Sequence, residues 1–172
     1  MALFEPAFLA TMKHEGGYVW DRQDHGGETY RGISRKHWRG WDGWPDVDAG
    51  KGTRDFPACL DRNAQLQGKV KDFYQRNFWM PLMDEIKDQA LANWLFDKAV
   101  NMGIRQAYKL LQRALYVDPD GVIGPQTKAK LHAADPVELL ESCRIEARRF
   151  YTKLALNDSS QSRYLHGWLA RA

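Results

Sequence analysis

Apolar positions along the 172-residue chain recur for most of its length at helical spacing. Phe4, Phe8, Leu9 and Met12 lie three and four apart, and Gly16-Gly17 behind them offers the left-handed stop that ends helices. A first helix is therefore expected to close at His14-Glu15. From residue 21 to 52 the periodicity gives way to Gly, Asp, Trp and Pro, which predicts loops, a short hairpin and a brief helix over residues 34–38. Such a stretch is where a binding surface is usually built. Leu66, Val70, Phe73, Tyr74 and Phe78 then make one stripe, stopped by Pro81. Leu91, Trp94, Leu95, Ala99 and Met102 mark a helix over 87–101, closed by Gly103, and Ile104, Ala107, Leu110, Leu111 and Ala114 mark the next. The tetrad Asp118-Pro119-Asp120-Gly121 predicts a turn, and Pro125 after Gly124 a helix start. The longest helix is signposted by Asp135 as cap, Pro136 first and Glu138 three on, with Leu140, Cys143, Ala147, Phe150 and Leu154 as its core face. A last short helix over 164–169 is expected to pack Tyr164, Leu165 and Trp168.

These elements predict a mainly α, single domain with a loop-rich or β-hairpin insertion near residues 18–52. No internal repeat or low-complexity linker interrupts it. Hydrophobic residues at 44% and charged residues at 27% exclude disordered and collagenous readings. The aromatic share of 12%, with seven Trp, fits recognition of sugars, peptides or bases. The net charge of +3 does not by itself indicate nucleic acid, and it is compatible with an anionic polymer such as the bacterial wall. Cys59 and Cys143 lack metal spacing and are expected to be buried thiols. The first ten residues carry Glu5 and Pro6 and lack a basic, then apolar, leader. The expectation is synthesis in the cytoplasm without a signal peptide, with action on a target outside it after assisted export.

The densest polar constellation is Glu15-Gly16-Gly17-Tyr18, followed by Asp21, Asp24, Glu28-Thr29 and Gly32-Ile33. At the end of an apolar helix, Glu15 would feel both the helix dipole and apolar surroundings, which favour its protonated form and suit a general acid. The plainer alternative is a surface carboxylate before a capping glycine. Asp24 and Thr29 together could hold a water for attack, or could simply cap turn amides. His14, His25 and His37 with Asp21 and Asp24 match no metal motif, and Asp118 with Asp120 lacks the downstream carboxylate of a calcium loop. No metal or other cofactor is expected. No Ser or Cys sits in a nucleophile-elbow context, and no Gly-rich loop precedes a Lys in phosphate-binding order. Hydrolysis through carboxylates is the chemistry left.

The run from Glu15-Gly-Gly-Tyr18 through Asp24-His-Gly-Gly-Glu-Thr29 to Gly32-Ile33-Ser34 resembles the front motif of glycoside hydrolase family 108, the muramidases found as phage endolysins and as secretion-activator proteins. Tyr74, Phe78-Trp79-Met80-Pro81, Phe96-Asp97, Val100-Asn101-Met102-Gly103 and residues 110–115 resemble its middle. Residues 120–127, Gly167-Trp168 and Arg171 resemble its C-terminal, peptidoglycan-binding part. Departures are His25 where Pro is usual, Tyr30-Arg31 for Asn-Tyr, and Met80 for Asp; they bear on substrate preference. The spacing of Glu15, Asp24, Thr29 and Gly32-Ile33 is also similar to that in the lysozymes of T-even phages, which implies a lysozyme-like fold.

The resemblance implies a catalytic region over 1–92 and a helical peptidoglycan-binding region over 93–172, packed as one compact unit. It implies cleavage of the β-1,4 bond between N-acetylmuramic acid and N-acetylglucosamine with Glu15 as acid; Asp24 and Thr29 are expected to complete the catalytic set, and Tyr18, Glu28, Tyr30, Asp97 and Asn101 to bind substrate. Trp20, Trp38 and Trp41 are further sugar-ring candidates, of which one or two are expected in the cleft. Asp21 and Glu28 are alternatives to Asp24. The partners expected are glycan strands and an export helper, a holin or a secretion system, with no nucleic acid and no stable membrane insertion. A wall-binding module without activity and a lytic transglycosylase remain as alternative readings.

Overall fold

A computed structural model describes residues 1–20 and 27–172. Asp21, Asp24 and His25 lie outside the described residues. The chain divides into two compact units, one over residues 4–80, the other over 81–172 with residues 1–3.

In the first unit, α1 (Phe4–Met12) is followed by a three-stranded antiparallel sheet of β1 (Tyr18–Trp20), β2 (Glu28–Tyr30) and β3 (Ile33–Ser34). The register pairs Tyr18 with Tyr30, Val19 with Thr29 and Trp20 with Glu28, then Thr29 with Ser34 and Tyr30 with Ile33. Three helices follow: α2 (Trp44–Gly50), α3 (Ala58–Arg62) and α4 (Ala64–Phe78). Asn63 starts α4 by accepting from the Leu66 amide at 3.0 Å. The stripe of α4 buries Leu66, Val70, Phe73 and Tyr74 as its spacing predicts. An aromatic core forms around it, with Phe73 edge-on to Trp38 at 4.8 Å and Tyr74 against Phe8 at 5.9 Å.

The second unit is wholly helical among its described residues. It contains α5 (Pro81–Glu85), α6 (Gln89–Met102), α7 (Ile104–Ala114), α8 (Pro125–Ala133), α9 (Pro136–Asn157), a 3-10 turn (Ser159–Tyr164) and α10 (Leu165–Ala170). Asp88 and Asp135 cap α6 and α9 through the amides of Leu91 and of Val137 and Glu138. Gly103, at φ 86°, ends α6 and begins α7 in a backbone region that side chains resist. Buried Gln112 of α7 bonds Asp120, the Val122 carbonyl and the Gly121 amide, so one side chain closes the predicted turn.

The mainly helical expectation holds, with ten α-helices and one small sheet among the described residues. Several local expectations are corrected. Helix α1 stops at Met12: Lys13 and His14 are exposed, so another turn would bury nothing, and Gly16 and Gly17 are not in the left-handed region. Residues 35–37 form a turn rather than a helix. Pro81 does not itself end α4, which stops at Phe78; it opens α5. Cys143 is buried, but Cys59 is half-buried, its sulfur against the Thr53 hydroxyl at 3.1 Å. Leu9 and Leu154 are exposed, and the core face of α9 runs through Leu139, Leu140, Cys143, Ala147, Tyr151 and Ala155. Tyr164 is exposed, while Trp168 stacks on Tyr151 with ring centroids 5.4 Å apart.

Candidate active site

The front motif closes around a tight hairpin turn. Arg31 and Gly32, between β2 and β3, have φ of 48° and 80°. Two consecutive positive values between paired strands are the signature of the type I′ turn, whose twist matches that of the strands. Gly32 is required there for a second reason. A Cβ on it would lie 2.6 Å from Glu15 Oε2 and 2.6 Å from the Tyr74 hydroxyl, well inside contact distance. The half-buried Glu15 carboxylate is therefore seated against bare backbone, beside a phenol 59 residues away in sequence.

The turn is tied down on every side. The Arg31 amide donates to the Gly17 carbonyl at 3.1 Å, which joins the Glu15-Gly16-Gly17 segment to the hairpin. The Tyr74 hydroxyl donates to the Arg31 carbonyl at 2.6 Å, and the Arg31 guanidinium bonds Asp61 of α3 at 2.7 Å. Tyr30, only 1% exposed, has its hydroxyl held by Gln67 at 2.8 Å, and burial raises its pKa. It supports β2 from within the core and offers no open face to a sugar.

Glu28 is held differently. Its side chain is 11% exposed, with Arg35 Nε 2.6 Å and Lys51 Nζ 2.7 Å away, and it accepts from Tyr18 at 2.9 Å. Arg35 continues to both oxygens of Asp48 and lies over the Trp44 ring at 4.3 Å. The Arg35 bond holds the Asp48 carboxyl below the usual carboxylate range. Burial first, then the bond to Glu28, pushes the Tyr18 hydroxyl up to about 12. The cluster pins β1 and β2 to α2.

Thr29 lies on β2 beside Glu28 but, by strand alternation, on the opposite face. Of the aromatic candidates, Trp20 and Trp38 are exposed, Tyr18 is half-buried against Phe56, and Trp41 is in the core. Asp97 and Asn101 belong to the other unit. Asp97 pairs with Arg171 at 2.8 Å and with Lys98 at 3.0 Å, and Asn101 accepts from Tyr151 at 2.8 Å. Both secure the C-terminal segment. Arg31, Asp61 and Tyr74 are missing from the sequence-based site. Tyr74 was legible as an apolar-stripe and family-motif tyrosine, whose hydroxyl must find a partner when buried.

A small antiparallel sheet in a unit otherwise built of helices, with a half-buried carboxylate beside its hairpin, is the arrangement of a lysozyme-like fold. The comparisons agree. Residues 8–103 match the family model described as Glycosyl hydrolase 108, and residues 106–172 match one described as "Predicted Peptidoglycan domain". The first match covers more than half of the chain, and the chain belongs to glycosyl hydrolase family 108. It is a peptidoglycan hydrolase of the N-acetylmuramidase kind, and the reading as a module without activity falls. No curated protein matches it. Among solved structures, "Structure of Brucella abortus SagA" superposes with a TM-score of 0.63 at 24% identity, over 97% of this chain and 94% of that one, which shows a shared fold.

Proposed function

We propose that Glu15 is the general acid of a single-displacement hydrolysis. Glu15 Oε2 gives its proton to the N-acetylglucosamine O4 as the bond from the muramic anomeric carbon breaks. A water held by Thr29 and Asp24 adds hydroxide to the opposite face of that carbon and leaves its proton on Asp24. The products are a free O4 hydroxyl and an inverted reducing end. Such enzymes keep the two carboxyl groups about 6.5–9.5 Å apart to admit the water. The observation that carries the assignment is the seating of Glu15 against Gly32, on the hairpin that also bears Thr29. Residues 1–92 are proposed to do the chemistry and residues 93–172 to hold the wall. Delivery by a holin or a secretion system belongs to the same reading.

The test is Glu15→Gln assayed by mass spectrometry of the muropeptides released from purified peptidoglycan. The wild type is expected to yield reducing ends, and the variant to lose about 10² to 10⁴ in rate while keeping its circular dichroism. A folded variant with wild-type activity rules out Glu15. Anhydro-muramic ends as the main product mean attack by the sugar's own 6-hydroxyl, the transglycosylase reaction, and remove the water from the scheme.

A further inference from the structure

Arg31 occupies a backbone region that an arginine has no intrinsic reason to prefer. A glycine would sit at φ 48° at lower cost, and strain of this kind persists only where the surroundings over-determine it. Here the amide, the carbonyl and the side chain of Arg31 are each tethered, to Gly17, Tyr74 and Asp61. Two of the three tethers lead to Glu15. Gly17 is two residues beyond it in the chain. The Tyr74 hydroxyl meets the same face of Gly32 as the Glu15 carboxylate does.

Tyr74 is itself aimed by packing. It is 2% exposed, and its ring is fixed by Phe8 at 5.9 Å, Phe73 at 5.4 Å and Phe78 at 5.7 Å. The phenol therefore arrives at the hairpin from the rigid side of α4. We infer that Tyr74, through the Arg31 carbonyl, and Asp61, through the Arg31 guanidinium, are positioning residues for the acid. They hold the Arg31-Gly32 turn in its left-handed geometry and so fix where the carboxylate of Glu15 stands. This rests on the reading of Glu15 as the acid. It goes beyond that reading by assigning work in the reaction to a buried aromatic and an exposed aspartate that the proposed scheme does not use.

The chemistry explains why such a device is worth its strain. A proton donor must meet the glycosidic oxygen at hydrogen-bond distance, and displacement by about 1 Å can cost on the order of 10² in rate. Substrate held elsewhere along the glycan strand does not feel that displacement. Loss of positioning should therefore appear in kcat and not in KM.

The experiment compares the wild type with Glu15→Gln, Tyr74→Phe and Asp61→Asn on soluble, uncross-linked glycan strands, with kcat, KM and Tm measured for each. Tyr74→Phe keeps the ring and removes the donor. It is expected to lower kcat about 10- to 100-fold with KM changed less than about two-fold. Asp61, with its side chain 54% exposed, can be changed without opening the core, and Asp61→Asn is expected to lower kcat in the same way, by about 3- to 10-fold. If Tyr74→Phe fails to fold, Asp61→Asn alone decides. Wild-type kcat in the folded positioning variants, with Glu15→Gln inactive, overturns the positioning role and leaves the acid in place. A rise in KM at unchanged kcat overturns it too. Full activity in Glu15→Gln overturns the acid, and the positioning of it as well.

Discussion

Replacing Gly32 by Ala tests the geometry of the site with one methyl group. The backbone at φ 80° already disfavours any side chain, by about 1–2 kcal/mol. The added carbon would lie 2.6 Å from both Glu15 Oε2 and the Tyr74 hydroxyl, so each oxygen must retreat by roughly 1 Å to reach ordinary contact. Tyr74 is wedged among aromatic rings and cannot retreat easily, so the displacement falls mostly on Glu15. The expected cost is about 2–4 kcal/mol in stability and on the order of 10² in kcat. Gly43→Ala serves as the control. A Cβ there would collide with the Trp41 ring, a steric insult in the same unit that touches neither Glu15 nor the hairpin turn. Urea unfolding gives the stability of both variants. Muropeptide release, measured where both are fully folded, gives kcat. If Gly32→Ala loses stability but keeps wild-type kcat, as Gly43→Ala should, then Glu15 does not depend on that seat and the reasoning is wrong.

Two further outcomes can be checked on the same preparations. Asp97→Asn leaves the fully buried Lys98 ammonium, which also donates to the Arg171 carbonyl, without its carboxylate, and removes the Arg171 pair; a loss of about 3–5 kcal/mol is expected, read from the urea midpoint, and a loss below 1 kcal/mol would show that the pair is dispensable. The second concerns alkali. Burial pushes the Cys143 thiol up from 9.0 to about 12 and the Tyr108 hydroxyl from 10.0 to about 12, and Tyr18 rises to about 12 as well. In each case the folded pKa exceeds the unfolded one, so the stability these groups contribute is complete below the unfolded pKa and is lost as pH rises through the folded one. Lys98, lowered by burial, opposes this trend, but Tyr30 and Tyr151 are raised by burial as well. The urea midpoint should fall from about pH 9 to pH 12, and a flat or rising midpoint contradicts the assignment.

The helices were legible where one face had to be buried over three turns or more. In α4, α6 and α7 the spacing of Leu, Val, Phe and Ala reports the core, and Asp135 and Gly103 mark boundaries by local backbone chemistry. Short elements escaped. Helices α2, α3 and α5 have only five to seven residues each, too few for a period to show, and Trp44-Pro45 or Pro57 read equally well as loop. The expected core face of α9 drifted off the true one at Phe150 and Leu154, because spacing alone does not say which side of a long helix meets its neighbours. Within the site, Glu15 and Thr29 stand out by motif. The turn that seats Glu15 lacks the Asn-Gly signal of its type, since Arg31 is held there by partners 30 and 43 residues away, and no local pattern encodes such closure.

Strand alternation divides the labour of the hairpin. Tyr18, Trp20, Glu28 and Tyr30 point to one face, and everything seen of Glu28, Tyr18 and Tyr30 there is anchoring: Glu28 between Arg35 and Lys51, Tyr18 on Glu28, Tyr30 under Gln67. Val19, Thr29 and Ser34 point to the other, where Val19 is exposed. A residue that must release and recapture protons in each turnover cannot also be the anion on which two cations and a phenol depend, because every change in its charge would loosen the strands it holds. Glu28 is thus poorly suited to the water-holding role proposed for Asp24. Glu28→Gln should accordingly lower the melting temperature and leave the reducing-end product unchanged, whereas loss of the water-holding group would change the product or stop the reaction while leaving the sheet intact.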